Sequence, residues 1–128
     1  MRVADRMTTN PSVVRLGDSL AAARVIMQAE RFKHLPVVER KRVLGVITDR
    51  DVKQHAAHLD ETLVESVMTA DPVTVSPDTA IEEAASLLLV RSIGCLPVTQ
   101  NGGLVGIITT TDLLRALLDI ARLHAKET

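Results

Sequence analysis

Two short stretches of the chain carry residue types that can hold a ligand. Gly45-Val46-Ile47-Thr48-Asp49-Arg50-Asp51 recurs as Gly106-Ile107-Ile108-Thr109-Thr110-Thr111-Asp112. Each reads glycine, two β-branched residues, threonine, two polar residues, aspartate. The Thr-x-x-Asp spacing is that of a helix capping box, in which the hydroxyl takes a backbone N–H of the first turn and the acid reaches back. The same spacing also suits a nucleotide. Unpaired N–H groups and the positive dipole end of a helix start attract phosphate. The threonine hydroxyl can add a donor, and an ionised carboxylate one turn on can accept from both ribose hydroxyls. Gly45 and Gly106, just upstream, permit close backbone approach. From spacing alone both roles stand: a helix start needed twice, or two copies of a site.

The elements that must position these residues repeat as well. Adding 61 to a position in the first half gives its counterpart in the second: Met7-Thr8 and Met68-Thr69, Pro11 and Pro72, Val14 and Val75, Leu35-Pro36-Val37 and Leu96-Pro97-Val98. The correspondence runs without a gap from residue 3 to 52, so the chain is a tandem duplication, divided here into units 1–60 and 61–128. In each copy a short extended piece (13–14, 73–75) precedes an amphipathic helix, roughly Ser19 to Glu30 and Thr79 to Arg91. Leu20, Ala23 and Met27 mark its apolar stripe, repeated by Ile81, Ala84 and Leu88. Asp18 or Ser19, and Asp78 or Thr79, are the candidate N-caps. Two strands then pair as a hairpin, and a second helix begins after Thr48 or Thr109. Asn101-Gly102 is a strong turn signal in the second hairpin. The first has Glu39-Arg40-Lys41-Arg42 and is expected to turn differently. The order β-α-β-β-α, twice, predicts an α+β fold.

Composition limits the function. The 128 residues are 46% hydrophobic and 24% charged, a globular balance. A net charge of −1 argues against a broad nucleic-acid footprint. Phe32 is the sole aromatic residue, so no platform for stacking successive bases can be built. A bound base is expected to sit between aliphatic side chains such as Val46 and Ile107, with backbone beside Pro36 and Pro97 reading its edge. The longest apolar run, 84–90, is too short to span a bilayer, and no secretion signal is visible. One cysteine, Cys95, requires no oxidising compartment. A cytoplasmic protein without membrane or nucleic-acid partners is expected.

The ordered set Met-Thr-x-x-Pro, Leu-Pro-Val and Gly-x-x-Thr-x-x-Asp, present twice over nearly the whole chain, resembles a pair of CBS domains, the Bateman module. The resemblance implies two pseudo-symmetric units packed through small three-stranded sheets, a sensing or regulatory role rather than catalysis, and clefts that take adenosine ligands such as AMP, ADP, ATP or S-adenosylmethionine. It also implies that the Met-Thr-x-x-Pro strand of one copy meets the Thr-x-x-Asp of the other, which gives two unequal clefts. One groups Thr48, Arg50 and Asp51 with Lys33 and His34, and with Thr69 and Thr74 of the second copy. The other groups Thr109, Thr111 and Asp112 with Gly94 and Cys95, and with Thr8 and Val13 of the first. Phosphates favour cations, and Lys33, His34 and Arg50 all fall in the first grouping. That cleft is the preferred site; solvated surface is the plain alternative for Lys33 and Arg50.

The last helix carries two apolar stripes, Leu113-Leu117-Ile120 and Leu114-Leu118-Ala121, a wider band than one small core uses. A symmetric homodimer would bury the surplus, as would packing over the other copy. His55 and His58 lack a third metal ligand of recognisable spacing, and Cys95 reads as a small buried hydrophobe. No catalytic constellation or cofactor site can be assembled. The expectation is a free-standing regulatory module that binds an adenosine ligand, acts on an unidentified effector protein and catalyses nothing. The alternative is an interaction module whose Thr-x-x-Asp pairs are only caps.

Overall fold

The computed structural model describes residues 1–127. In chain order the elements are β1 (Thr8–Thr9), α1 (Leu20–Glu30), β2 (His34–Glu39), β3 (Arg42–Thr48), α2 (Asp49–Gln54), α3 (Val64–Val67), β4 (Thr69–Ala70), α4 (Ile81–Arg91), β5 (Cys95–Gln100), β6 (Gly103–Thr109) and α5 (Thr110–Glu127), with 3-10 turns at Val3–Asp5 and Ala56–His58. Two three-stranded antiparallel sheets form, ordered β2-β3-β4 and β1-β6-β5. The duplicated β-α-β-β-α pattern is therefore present as two α+β units.

Their short outer strands are exchanged. β1, from the first repeat, pairs with β6 of the second through Thr8 opposite Ile107, while β4 pairs with β3 through Thr69 opposite Val46. The repeats in sequence are thus not the packing units in space. Val3 is buried with Val75, Ile81, Ala84, Leu88, Leu96, Val98 and Ile108, whereas Val64 is buried with Val14, Leu20, Leu35, Val37 and Ile47. We call the unit holding β2 and β3 the first and that holding β5 and β6 the second. A third small cluster, Val46, Cys95 and Ile107, joins the sheets where the two units meet.

Each unit lays its helices over one face of its sheet, which is why the apolar stripes of α1 and α4 are the buried faces. Ser19 caps α1, accepting from Ala22 N–H at 3.1 Å. The counterpart differs from expectation: Ala80, not Asp78 or Thr79, holds the N-cap position of α4. Thr79 Oγ1 instead takes the Ser76 N–H at 3.0 Å, and Asp78 pairs with Arg2. Both helices end on left-handed residues, Arg31 (φ +59°) and Ser92 (φ +53°), which swing the chain back toward the sheet.

The hairpins correct a second expectation. Arg40 and Lys41 (φ +51°, +69°) adopt the same two-residue turn as Asn101 and Gly102 (φ +53°, +79°). Two positive φ values match the twist of the flanking strands, and the fold imposes that geometry even on a sequence without Asn-Gly. The units diverge at their second helices. α2 stops after six residues, and α5 continues for eighteen.

Candidate functional site

Both Thr-x-x-Asp pairs are closed as capping boxes. Asp112 Oδ2 accepts from Thr109 N–H at 2.8 Å and from its hydroxyl at 3.0 Å, while Thr109 Oγ1 accepts from Asp112 N–H at 3.3 Å. Thr48 and Asp51 repeat this with 2.8, 3.1 and 3.3 Å. The threonine hydroxyl has one hydrogen and it is engaged by the aspartate, so in this state neither Thr48 nor Thr109 donates to a phosphate. Each holds its carboxylate in place instead. Oδ1 of Asp112 accepts no hydrogen bond among the described residues. Thr110 N–H donates to Gly94 C=O at 3.1 Å. Thr111, at the second helical position, belongs to the set of N–H groups that a helix leaves without an intrahelical partner.

Around Thr109, Thr111 and Asp112 lies a cavity of about 400 Å³, within the size range of small-molecule sites. Its walls come from both units. Thr8, Pro11 and Ser12 enter on the exchanged strand and the segment after it, Ile107 and Gly94 come from the second unit, and Arg31 to His34 come from the first. Arg115, one turn beyond Asp112, completes the wall.

This changes the grouping expected from sequence. Lys33 and His34 line the cavity of the second Thr-x-x-Asp, not a cleft with Thr48 and Asp51. The reason is the exchange of walls between units: the segment entering β2 sits beside the segment entering β5, so Gly94 lies against the His34 ring. The cleft read as having no cation carries Arg31, Lys33 and Arg115. Thr8, Gly94, Thr109, Thr111 and Asp112 share it as expected, whereas Val13 gives way to Pro11 and Ser12. Cys95 is not on the wall either. It is buried between Val46 and Ile107, where desolvation pushes its thiol up to about 12. Arg50 borders a shallow surface with Asp49, Lys53 and Gln54 that does not include Thr48, Asp51, Thr69 or Thr74. Thr69 and Thr74 are exposed.

Sequence reasoning missed Arg31, Phe32 and Arg115. Arg115 had a signal, since i+3 from Asp112 puts it on the same side of a helix. Phe32 had one too, being the sole aromatic and directly preceding Lys33-His34. With Ile107 it gives the cavity an apolar wall, so an aromatic surface is available to a base after all. His34 titrates below 6.5, because burial disfavours the imidazolium and Lys33 adds to this against the opposing pull of Asp49. The wall therefore presents three basic side chains and one imidazole that burial keeps neutral to a single carboxylate.

His55 Nδ1 lies 2.8 Å from Asp51 C=O, and His58 faces Glu61 at 3.6 Å. Among the described residues no group of three His, Cys, Asp or Glu is placed to hold a metal. No helix among them is long and apolar enough to cross a membrane.

Two exchanged units, each closing its second helix with Thr-x-x-Asp, define a tandem regulatory pair. The chain belongs to the CBS-domain family: the CBS domain model matches residues 3–58 and again 64–119, making it a Bateman module. An uncharacterised 17.7 kDa protein of Acidianus ambivalens is 35% identical over 122 residues, covering 93% of this chain and 74% of that one. Two longer curated relatives are matched over only 22% and 24% of their length. Among solved structures, CBSX2 in complex with AMP superposes with a TM-score of 0.84 at 30% identity, covering 94% of this chain and 98% of that one. The CBS domain pair of protein MJ0100, in complex with 5′-methylthioadenosine and S-adenosyl-L-methionine, superposes at 0.85 with 25% identity over 91% and 99%.

Proposed function

We propose that this chain is a regulatory module that binds an adenosine-containing ligand carrying phosphate in the cavity at Thr109 and Asp112. The observation that carries the reading is the convergence of Asp112, Arg31, Lys33 and Arg115 on one cavity of ligand size. Asp112 Oδ1 accepts from the ribose hydroxyls, while the Thr111 N–H at the start of α5 and the three cations take the phosphate. Phe32 and Ile107 flank the base. AMP, bound by CBSX2 in the superposed structure, and ADP or ATP suit this charge better than S-adenosylmethionine, whose sulfonium would face three cations.

On this reading the protein senses and does not catalyse. It works as a homodimer in which ligand shifts the arrangement of the units and thereby the affinity for an effector protein. The test is calorimetric titration with AMP, ADP, ATP and S-adenosylmethionine. Asp112→Asn is expected to abolish nucleotide binding and Asp51→Asn to leave it nearly unchanged. Equal affinity in Asp112→Asn would overturn the ribose assignment. A second reading has its own observation in support: both Thr-x-x-Asp pairs already satisfy each other as capping boxes. If the whole panel is silent with folded, ligand-free protein, the module is an interaction scaffold.

A further inference from the structure

The two hairpin tips share a backbone and differ in chemistry. Glu39-Arg40-Lys41-Arg42 of the first unit stands where the second has Gln100-Asn101-Gly102-Gly103. Both tips turn through two left-handed residues, a conformation that asparagine and glycine take readily and that a larger side chain opposes. Arg40 (φ +51°) and Lys41 (φ +69°) take it nonetheless. Residues 39–42 are all exposed, and among the described residues Arg40, Lys41 and Arg42 enter no ion pair. No charge pairing within the chain offsets the strain, and strain of this kind gathers where a surface is used.

We infer that this tip is a docking point for an acidic segment of the effector protein. The inference rests on the regulatory reading for there being a protein partner, and adds where and by what chemistry that partner is held. The turn carries three cations against one acid, in a chain whose net charge is −1. Arginine takes a carboxylate through two parallel N–H donors, which suits Arg40 and Arg42 to Asp or Glu side chains. The platform is braced by the second unit: Leu104 N–H donates to Lys41 C=O at 2.8 Å, and a Cβ at Gly103 would lie 3.7 Å from that of Lys41. A braced tip loses little freedom on binding, and a shift between the units reaches it directly. His34 and Thr48 pair at the far end of the hairpin, roughly 17 Å away at about 3.3 Å per residue. Partner and nucleotide therefore do not compete for the same ground. A nucleic acid would need cations spread along many phosphates. A lipid surface would need a longer basic run or apolar side chains to insert, and neither tip offers them.

The test follows the fluorescence anisotropy of a labelled oligo-glutamate peptide titrated with the full chain at low salt. Wild type is expected to bind, with affinity falling as salt is added. The pair Arg40→Glu, Arg42→Glu is expected to bind roughly tenfold more weakly. The pair Arg24→Glu, Arg91→Glu reverses the same charge at exposed positions of α1 and α4 and is expected to bind as wild type does. All four positions are exposed, and an unchanged circular dichroism spectrum would show that the fold is retained. No binding by wild type, or equal losses in the two pairs, would overturn the inference. Tighter binding of a DNA duplex or of phosphatidylserine vesicles than of the peptide, lost with Arg40→Glu, Arg42→Glu, would overturn it in favour of that other partner. Calorimetric titration with AMP, run beside these measurements, separates the two readings. A silent AMP titration with peptide binding intact would overturn the nucleotide reading and leave the docking point standing.

Discussion

His34 of the first unit lies against Gly94 of the second: a Cβ at residue 94 would stand 2.7 Å from Nε2 and 3.1 Å from Cε1 of the imidazole. This contact closes the cavity across the boundary between the units. It ties the segment before β2 to the segment before β5, and Gly94 C=O also anchors the first N–H of α5.

The consequence for binding is direct. Gly94→Ala leaves no room for the ring where it stands, so the imidazole must swing out of the wall. We expect about a tenfold loss of nucleotide affinity, some 1.4 kcal/mol. The urea midpoint should change little, because no core residue is displaced. Titration calorimetry beside denaturation checks both. An affinity loss matched by an equal stability loss would point to damage of the whole interface between units.

The same histidine sets a pH dependence. Its folded-state pKa lies below the ordinary 6.5, so between the two values the unfolded chain binds more protons than the folded one. The stability that a neutral His34 contributes is therefore complete above 6.5 and is lost as pH falls through 6.5 toward the folded value. His34→Gln is expected to flatten the stability profile in that window, which urea titrations at stepped pH would show. Bound phosphate should act oppositely, since an anion beside the ring favours imidazolium. Nucleotide binding is then accompanied by proton uptake, measurable as a calorimetric enthalpy that varies with buffer.

Much of this architecture could be read from the chain because the 61-residue offset acts as internal evidence. Leu20-Ala23-Met27 and Ile81-Ala84-Leu88 report the same helix face twice, and both Thr-x-x-Asp pairs cap as their spacing requires. The offset says which positions are equivalent, however, and not which cleft a side chain enters. Lys33 follows α1 of the first repeat yet faces Asp112 of the second, because the boundary between units folds neighbouring segments across each other. The turn at Arg40-Lys41 departs from its sequence for a related reason. Arg40-Lys41 lacks the local preference of Asn101-Gly102, and strand twist overrides that preference.

Strand exchange makes a paired prediction possible. A Cβ at Gly106 would meet Thr8 C=O and Met7 Sδ at 2.8 Å, and at Gly45 it would meet Thr69 C=O at 2.8 Å and Met68 Sδ at 2.6 Å. The methionines can bend away, but the carbonyls belong to the strands being held. Gly45→Ala and Gly106→Ala should each cost about 1–3 kcal/mol by overpacking. Only Gly106→Ala should also weaken nucleotide binding, because β1 carries Thr8 into the cavity while β4 does not reach it. Equal binding losses in the two variants would mean that the site senses strain anywhere in the fold.

Left-handed backbone at Lys41 supplies the last prediction. Its φ of +69° is close to the +79° of its counterpart Gly102, yet it carries a Cβ. That conformation costs an L-residue roughly 1–2 kcal/mol, and glycine escapes it while loosening the unfolded chain by up to about 1 kcal/mol. Lys41→Gly is therefore expected to stabilise by about 0.5–1 kcal/mol on that balance. Gly102→Lys is expected to destabilise by a similar amount. The docking of the turn should survive both changes, since Leu104 N–H reaches Lys41 through its backbone carbonyl, at 2.8 Å. Urea denaturation of the two variants measures the balance directly. If Lys41→Gly proved destabilising, the lysine side chain would have to contribute more than its backbone costs, and the hairpin tip would hold an interaction that its exposed position does not suggest.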